Sequence, residues 1–156
     1  MITSVDTNVL LDILLAGELH VDASKELIDA AYADGALIIC DVVYSELAAQ
    51  FDNVRDLEEF LSRTGIRLVP SDRASLQAAA AAWRKYTINR DDRLQCASPG
   101  KLKHVYCDQC GAAIQSQEHI IADFIIGAHA MIHADRLLTR DRGFYGTYFP
   151  ELVLYA

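Results

Sequence analysis

The sequence predicts a single α/β domain spanning residues 1–156, with a mainly parallel sheet covered by helices on both faces. Short apolar runs alternate with longer segments of helical spacing along most of the chain, an order typical of parallel sheets. The apolar run at 36–40 is continuous rather than alternating, which indicates a strand buried on both sides. A chain of 156 residues with 52% hydrophobic content can bury one sizeable core without disulfides.

The first half of the chain divides into strands and helices at recognisable turn residues. Residues 2–5 form the first strand, and apolar spacing predicts a helix over 7–16 that Gly17 ends. Residues 22–24 cap a second helix, which runs to about residue 33 before a turn at 34–35. The elements predicted next are a strand at 36–40 and helices at 41–50 and 54–62.

The second half continues this alternation around a polar insert. Pro70 closes a strand at 66–69, and Asp72 caps an Ala-rich helix at 74–88. Residues 89–117 are polar and carry three of the four cysteines, so we expect an insert within the domain. The elements predicted after the insert are a nearly all-apolar helix at 119–133 and strands at 136–139 and 152–154.

Charge and targeting features restrict how and where the protein works. Lys and Arg total 14 against 22 Asp and Glu, and the resulting charge of −8 excludes binding a nucleic acid by net charge alone. The N-terminus has no targeting pattern, and no run reaches the roughly 18 apolar residues of a membrane span. We therefore expect a cytoplasmic protein whose cysteines are reduced or bind metal rather than form disulfides.

Acidic residues follow three of the predicted strands. Asp6 comes directly after the first strand, Glu46 lies on the helix after the second, and Asp141 lies just past the fourth. In parallel sheets, ligands bind beyond the carboxyl ends of the strands, so these acids are expected at one edge. Taken singly, Asp6 could cap its helix, Glu46 could be solvated, and Asp141 could form a surface ion pair with a neighbouring arginine.

Asp123 strengthens the case for a shared site. It lies in an otherwise apolar helical segment, where a carboxylate is costly unless it is paired or bound to a cation. Arg84 or Arg90 could pair with Asp123, but such an ion pair would not explain the other three acids. A shared Mg²⁺ or Mn²⁺ ion would explain all four, since it relieves the repulsion between crowded carboxylates. We favour this metal interpretation.

Four segments of the sequence resemble the motifs of PIN-domain nucleases, in the same order. They are VDTNVLLD at 5–12, SEL at 45–47, ADFIIGAHA at 122–130 and LTRD at 138–141. The resemblance is greatest to the VapC-type toxins of bacterial and archaeal toxin–antitoxin pairs, and it implies a three-layer α/β/α sandwich. We interpret His129, within the third motif, as a packed helix residue rather than a ligand.

The resemblance implies an endoribonuclease that uses one or two Mg²⁺ or Mn²⁺ ions. Such ions activate water and neutralise charge on the RNA phosphodiester, so no histidine or lysine base is needed. The resemblance also implies a cognate antitoxin protein as partner, and a homodimer. The residues that match the acidic cluster of the family are Asp6, Glu46, Asp123 and Asp141. Those that match its polar support are Thr7, Asn8, Ser45 and Thr139.

The insert departs from the family pattern. Compact members carry an arginine-containing link before the position of Asp123, so the lid over the site is expected to differ here. Basic residues near the site could contact the RNA backbone, although scattered Arg and Lys more often form a solvated surface. The candidates are Arg140, Arg142, Lys101 and Lys103, together with Arg90 and Arg93.

The insert also carries a C-x-x-C-G knuckle at 107–111, a spacing that lets two thiolates bind one Zn²⁺. Cys96 is the third candidate ligand, and His104 or His119 the fourth. The set we favour is Cys96, His104, Cys107 and Cys110, similar to the structural zinc-ribbon insertions of some PIN proteins. A degenerate ribbon without metal and a redox pair are the alternatives. Cys40, at the end of an apolar strand, is expected to be a buried packing residue.

Two other functions compete with the nuclease. A phosphatase of the haloacid-dehalogenase class would need a second acid two residues after Asp6, where this chain has Asn8. A catalytically inactive PIN-like module could bind RNA or protein through the zinc insert, but the presence of all four acids argues against it. Metal-dependent cleavage of RNA would distinguish the nuclease from such a module.

Overall fold

Parallel strands form the centre of the protein. The computed structural model describes residues 1–15, 20–89, 94–95, 102–114 and 121–155. The strands within these residues are β1 (Ile2–Val5), β2 (Ala36–Ile39), β3 (Ile66–Leu68), β4 (Leu94–Gln95), β5 (Leu102–Lys103), β6 (Val105–Tyr106), β7 (Ala113–Ile114), β8 (Arg136–Leu138) and β9 (Leu154–Tyr155). Five of them form one sheet in the order β3-β2-β1-β8-β9, and every neighbouring pair is parallel. The predicted α/β class is confirmed.

Helices cover both faces of this sheet. The last three residues of β1 and all three residues of β8 are buried, and successive strand residues point to opposite faces, so neither face is open to solvent. The helices are α1 (Thr7–Leu14), α2 (Val21–Asp34), α3 (Asp41–Ala48), α4 (Val54–Thr64), α5 (Arg73–Asn89), α6 (Ile121–His133) and α7 (Arg142–Tyr148). None of these helices in the described ranges is long and apolar enough to cross a membrane.

Helix α7 is the main difference from the sequence prediction. Gly143 and Gly146 lower its helix propensity, so the segment reads as a loop. Two tertiary features stabilise it. Asp141 caps its first turn, and its C-terminal end packs closely against α6. A Cβ atom on Gly127 of α6 would lie 2.4 Å from the ring of Phe149, so only a glycine allows this approach.

The remaining boundaries differ by one to a few residues. Helix α1 ends at Leu14, whereas the prediction extended it to residue 16; Gly17, its predicted end, lies outside the described residues. Helix α2 begins at Val21, just before its predicted cap, and β9 begins two residues later than expected. Such shifts are ordinary because helix and strand ends are weakly specified by local sequence.

The described part of the insert consists of short antiparallel strand pairs. Strand β4 pairs with β5, and β6 pairs with β7 through Val105 and Ile114. Each pair forms its own two-stranded sheet, separate from the central one. The second pair is a hairpin whose turn contains Cys107 and Cys110, so the predicted knuckle lies at the tip of a β-hairpin.

Candidate active site

Asp6 lies at the carboxyl end of the central strand β1. It occupies the N-cap position of α1, but its side chain makes no capping hydrogen bond, so the capping alternative is wrong. Its Oδ2 accepts hydrogen bonds from Asn8 Nδ2 and Thr139 Oγ1, both at 2.6 Å. Only 4% of Asp6 is exposed. Burial raises the pKa of Asp6, and the hydrogen bond from Thr139 opposes that rise by favouring the carboxylate.

Glu46 is brought to the same place by a hydrogen bond between two helices. The hydroxyl of Thr7, in the first turn of α1, donates to Glu46 Oε2 on α3. Glu46 is half-buried rather than freely solvated, and its charge acts on Asp6. Thr7 therefore connects the two acids through the start of α1.

Asp123 lies in the first turn of α6 and is half-buried. Its pKa is raised to about 6, first by burial and then by repulsion from Asp6, Glu46 and Asp141. No described cation lies within ion-pair distance of Asp123; Arg84 borders a separate surface depression, and Arg90 lies outside the described residues. The four predicted acids therefore act on one another electrostatically, although they are up to 135 positions apart in the sequence.

Asp141 has the capping role that was considered for Asp6. It is the N-cap residue of α7, and its Oδ1 accepts a hydrogen bond from the Phe144 backbone N–H at 3.0 Å. Its own backbone N–H donates to Thr139 Oγ1 at 3.0 Å. The hydroxyl of the fully buried Thr139 therefore connects the backbone of Asp141 to the carboxylate of Asp6 through two hydrogen bonds. Asp141 itself is exposed at the rim of the site.

Three of the four acids, Asp6, Glu46 and Asp123, border an open cavity of about 460 Å³. It lies at the carboxyl edge of the sheet, where parallel α/β proteins bind ligands. Its lining consists of Asp6, Thr7, Asn8, Leu11, Glu46, Ala49, Gln50 and Asp123. A second cavity, of about 580 Å³, also borders α1, and half of its lining residues are apolar. It also holds two acids, Asp56 and Glu59, together with Arg63, which pairs with Glu59 at 3.7 Å. The first cavity is therefore the candidate active site, because Asp6, Glu46 and Asp123 line it.

Several predicted residues lie elsewhere or have other partners. The hydroxyl of Ser45 donates to the backbone carbonyl of Asp41 at 2.7 Å, and Ser45 does not line the cavity. Arg140 is near the site, but its Nη2 pairs with Oδ1 of the buried Asp12 at 2.9 Å. The charge of Arg140 therefore compensates the buried Asp12, while its predicted contact with the RNA backbone stays a prediction. The other candidates are Arg142, which begins α7, the exposed Lys103, and Lys101, which lies outside the described residues.

The donor chemistry of the cavity fits a hard divalent cation. Among the residues that the structure describes, no three His, Cys, Asp or Glu side chains are close enough together to hold a metal ion as they stand. Burial raises the pKa of Asp123 most and repulsion from the other acids raises it further, and a bound cation would relieve that repulsion. Carboxylate oxygens are the ligands that Mg²⁺ and Mn²⁺ prefer, so the residues present suit such an ion once it draws them together.

The knuckle of the insert has a well-defined local geometry. The N–H of Gly111 donates to the carbonyl of Cys107 at 2.8 Å, and Gly111 has a positive φ of 72°, which explains the glycine. The backbone N–H groups of Gln109 and then Cys110 lower the pKa of the Cys107 thiol. Cys107 and Cys110 are free thiols.

The rest of the predicted zinc set is not brought together by the described residues. Exposed His104 places its ring 6.3 Å from that of Tyr106, while Cys96 and His119 lie outside the described residues. Two other predictions are confirmed: Cys40 is 1% exposed in the core, and His129 is a fully buried helix residue.

The sequence analysis missed uncharged residues that line the cavity. Leu11 follows Thr7 by one helical turn, and Gln50 follows Glu46 by the same interval. The i, i+4 spacing of helices could have identified both, since it places residues on one face. Asp12, which accepts hydrogen bonds from Ser24 and pairs with Arg140, was also missed because both partners are distant in the sequence.

The chain belongs to the PIN domain family, whose model matches residues 4–99. This match spans most of the chain, including Asp6 and Glu46, and confirms the resemblance seen in the motifs. No curated protein matches the sequence.

Solved structures with the same fold cover nearly the whole chain. VapBC2 from Rickettsia felis, bound to a DNA fragment from its promoter, is 15% identical with a TM-score of 0.61, covering 99% of this chain and 98% of that one. VapBC-1 from nontypeable Haemophilus influenzae is 14% identical with a TM-score of 0.60, covering 99% and 97%. VapC20 from Mycobacterium tuberculosis, a sarcin–ricin loop cleaving toxin, is 15% identical with a TM-score of 0.52, covering 93% and 94%.

Proposed function

We propose that the protein is a metal-dependent endoribonuclease that cleaves RNA phosphodiester bonds, and that it is the toxin of a toxin–antitoxin pair. One observation carries this proposal. Asp123 is half-buried, has no described cationic partner, and is repelled by three other acids, two of which line the same open cavity. Membership of the PIN domain family supports nuclease chemistry at that cavity.

The side chains around Asp6 keep its carboxylate in one orientation. Asn8 and Thr139 both donate to the same oxygen, Oδ2, and hold the carboxylate towards the cavity. The hydroxyl of Thr7, in the first turn of α1, donates to the carboxylate of Glu46 and restricts its orientation in the same way. Oriented carboxylates lose less freedom when they bind an ion, and such supporting hydrogen bonds strengthen metal sites.

The cation would be held by the four acids, Asp6, Glu46, Asp123 and Asp141. When bound, Mg²⁺ or Mn²⁺ supplies Lewis-acid activation of water and neutralises charge on the scissile phosphate. Without it the cavity repels a phosphodiester, because the described residues of its lining provide acids and no basic side chain. Substrate binding and cleavage should therefore both depend on the ion. Attack by activated water would leave a 5′-phosphate and a 3′-hydroxyl.

RNA and a small protein partner are the binding partners we propose. Of the solved structures with this fold, VapC20 is described as a sarcin–ricin loop cleaving toxin, and two are VapBC complexes. By analogy we expect a cognate antitoxin for this chain, and a homodimer. Arg140, Arg142, Lys103 and Lys101 are the candidates for contacts with the RNA backbone.

Cleavage of single-stranded RNA with and without Mn²⁺ tests the nuclease proposal. We expect cleavage that requires Mn²⁺, stops with a chelator, and is lost in Asp6→Asn and Asp123→Asn. Glu151→Gln is the matched control, because Glu151 is an exposed acid outside the cavity. Activity that persists in both cavity variants, or without metal, would contradict the proposal. RNA binding without any cleavage would instead favour the inactive module.

We also propose that the insert binds a structural Zn²⁺ through Cys96, His104, Cys107 and Cys110. The supporting observation is the hairpin tip, where backbone N–H groups stabilise the thiolate of Cys107. Protein purified under reducing conditions should contain about one zinc per chain, and Cys107→Ser should lose it. Reduced protein without zinc, or a disulfide between the two knuckle cysteines, would contradict this proposal.

A further inference from the structure

Two aromatic rings lie side by side on the surface of the insert. Tyr106 in β6 is 60% exposed, and His104, which lies between β5 and β6, is exposed as well. Their ring planes are only 27° from parallel, and the ring centroids are 6.3 Å apart. Tyr106 does not belong to the hydrophobic core, so packing inside the folded protein does not account for the pair.

The gap between the two rings is close to the width that one further flat ring needs. Atoms in van der Waals contact lie about 3.5–4.0 Å apart, so a planar group between two rings needs about 7 Å. Residues two apart along a strand lie on the same side and about 6.6 Å from each other, which agrees with the 6.3 Å between His104 and Tyr106. The rings are therefore too far apart for face-to-face contact, and a small opening of the gap would admit a planar group.

The neighbouring strand does not cover the pair. Tyr106 is paired with Ala113 of β7, and residues directly opposite in an antiparallel pair lie on the same face of the sheet. Ala113 is exposed and its side chain is a single methyl group, so it is too small to cover the Tyr106 ring. A ligand can therefore reach the rings from solvent.

The charge of this part of the chain is opposite to that of the whole protein. Residues 93–107 contain three basic residues and no acid, in a chain with 14 basic and 22 acidic residues. One of the three, Lys103, is exposed and directly precedes His104. The described lining of the acidic cavity has no basic side chain, so contacts that attract an RNA backbone must lie outside it. Lys103 is a candidate for such a contact, beside a gap that fits a base.

We propose that the His104–Tyr106 pair binds an unpaired base of single-stranded RNA between its rings, and that Lys103 contacts the adjoining phosphate. The inference rests on the proposed RNA substrate and assigns a place outside the cavity where that RNA is held. Aromatic side chains stack on unpaired bases of any sequence, whereas a base inside a duplex is not available to them. A metal bound by a ring nitrogen lies in the plane of the ring, so the proposed zinc ligation of His104 leaves the ring faces free. A flat gap beside a cation matches a base and its phosphate more closely than it matches an apolar protein surface.

Fluorescence anisotropy with a short, labelled, unstructured RNA measures this contact in the full-length protein. The buffer contains no Mg²⁺ or Mn²⁺, so that the acidic cavity does not bind the RNA, and no chelator, so that any zinc stays in the insert. Tyr106→Ala removes the ring, and Tyr106→Phe keeps it. Tyr32→Ala is the matched control, because Tyr32 is 58% exposed and lies between Asp29 and Asp34 rather than beside a lysine.

We expect Tyr106→Ala to bind the single-stranded RNA about tenfold more weakly, and both Tyr106→Phe and Tyr32→Ala to keep the affinity of the unsubstituted protein. Lys103→Gln should reduce the slope of log affinity against log salt by about 0.7, the value for one phosphate contact on a single strand. The same RNA annealed to its complement should bind more weakly and should be insensitive to Tyr106→Ala. Equal affinity of Tyr106→Ala and the unsubstituted protein for the single strand would overturn the inference, as would equal losses in Tyr106→Ala and Tyr32→Ala.

The result can be separated from that of the nuclease proposal. Mn²⁺-dependent cleavage by a protein whose RNA affinity ignores Tyr106→Ala would overturn this inference alone. RNA binding that depends on Tyr106 in a protein without cleavage would support the aromatic pair and contradict only the nuclease. If Tyr106→Ala weakened binding of a protein partner and left RNA binding intact, the rings would be a protein contact and the inference would be wrong.

Discussion

Replacing Asp123 by asparagine should make the metal-free protein more stable while removing its activity. The pKa of Asp123 rises from 3.8 to about 6 in the folded protein. At 1.36 kcal/mol for each pH unit, the difference is equivalent to about 3 kcal/mol for a fully desolvated group. Asp123 is only half-buried, and solvent screening reduces the effect to about 1–2 kcal/mol. Asparagine keeps the shape of the side chain and removes the repelled charge.

The sign of this effect depends on pH. The folded state holds the Asp123 proton more tightly than the unfolded state, so the folded protein loses stability as pH rises from about 4 to 6. Asp123→Asn should therefore match the unsubstituted protein at pH 4 and exceed its free energy of unfolding by about 1–2 kcal/mol at pH 7.5. Urea unfolding at the two pH values, without metal, measures this difference.

Mn²⁺ should reverse the order of stability at pH 7.5, because the unsubstituted protein gains binding energy that the variant loses. Glu151→Gln, which removes an acid outside the cavity, should show neither effect. A loss of stability in Asp123→Asn at pH 7.5 without metal would contradict the proposed repulsion between Asp123 and its acidic neighbours. It would show that Asp123 is held by a stabilising partner rather than repelled by its neighbours.

Three further substitutions test other parts of the site. Gly127→Ala should lower the free energy of unfolding by about 1–3 kcal/mol in urea, because the buried Phe149 ring must move; unchanged stability would mean that α7 is loosely packed. Thr139→Val should cost about 1–3 kcal/mol in thermal or urea unfolding, since it removes hydrogen bonds to both Asp6 and the Asp141 backbone. Asp141→Asn should keep the cap of α7 and the stability of the protein but weaken Mn²⁺ binding in calorimetry; equal affinity would exclude Asp141 from the metal site.

The sheet and the convergence of the acids could be predicted because both follow from short-range patterns. The continuous apolar run at 36–40 indicated a strand buried on two sides, and the last three residues of β2 are buried. Once the strands are known to be parallel, acids that follow them must lie at one edge. Asp123 was identified because burying an unpaired carboxylate in an apolar helix costs free energy, so its presence there needs an explanation.

The parts that could not be predicted depend on contacts between distant residues. Helix α7 was not predicted because its two glycines lower its helix propensity. Its stability comes from the Asp141 cap and from packing at Gly127. The pairing of Arg140 with Asp12 required knowledge of which face of α1 lies against the loop after β8.

In the insert, too, the local structure could be predicted from the sequence, whereas the contacts between distant residues could not. The hairpin tip around Gly111 is a local structure, and the C-x-x-C-G spacing predicted its tight turn. The choice of a third and fourth ligand depends on how the rest of the insert folds back, which spacing alone does not determine. The zinc set therefore stays a prediction.

The decisive test of a divalent cation site among the acids is a crystal structure of the protein soaked in Mn²⁺, with anomalous scattering recorded at the manganese edge. We predict an anomalous peak in the cavity, within coordination distance of carboxylate oxygens of both Asp6 and Asp123. The absence of a peak in an accessible cavity, or Asp123 in contact with an arginine, would contradict the account.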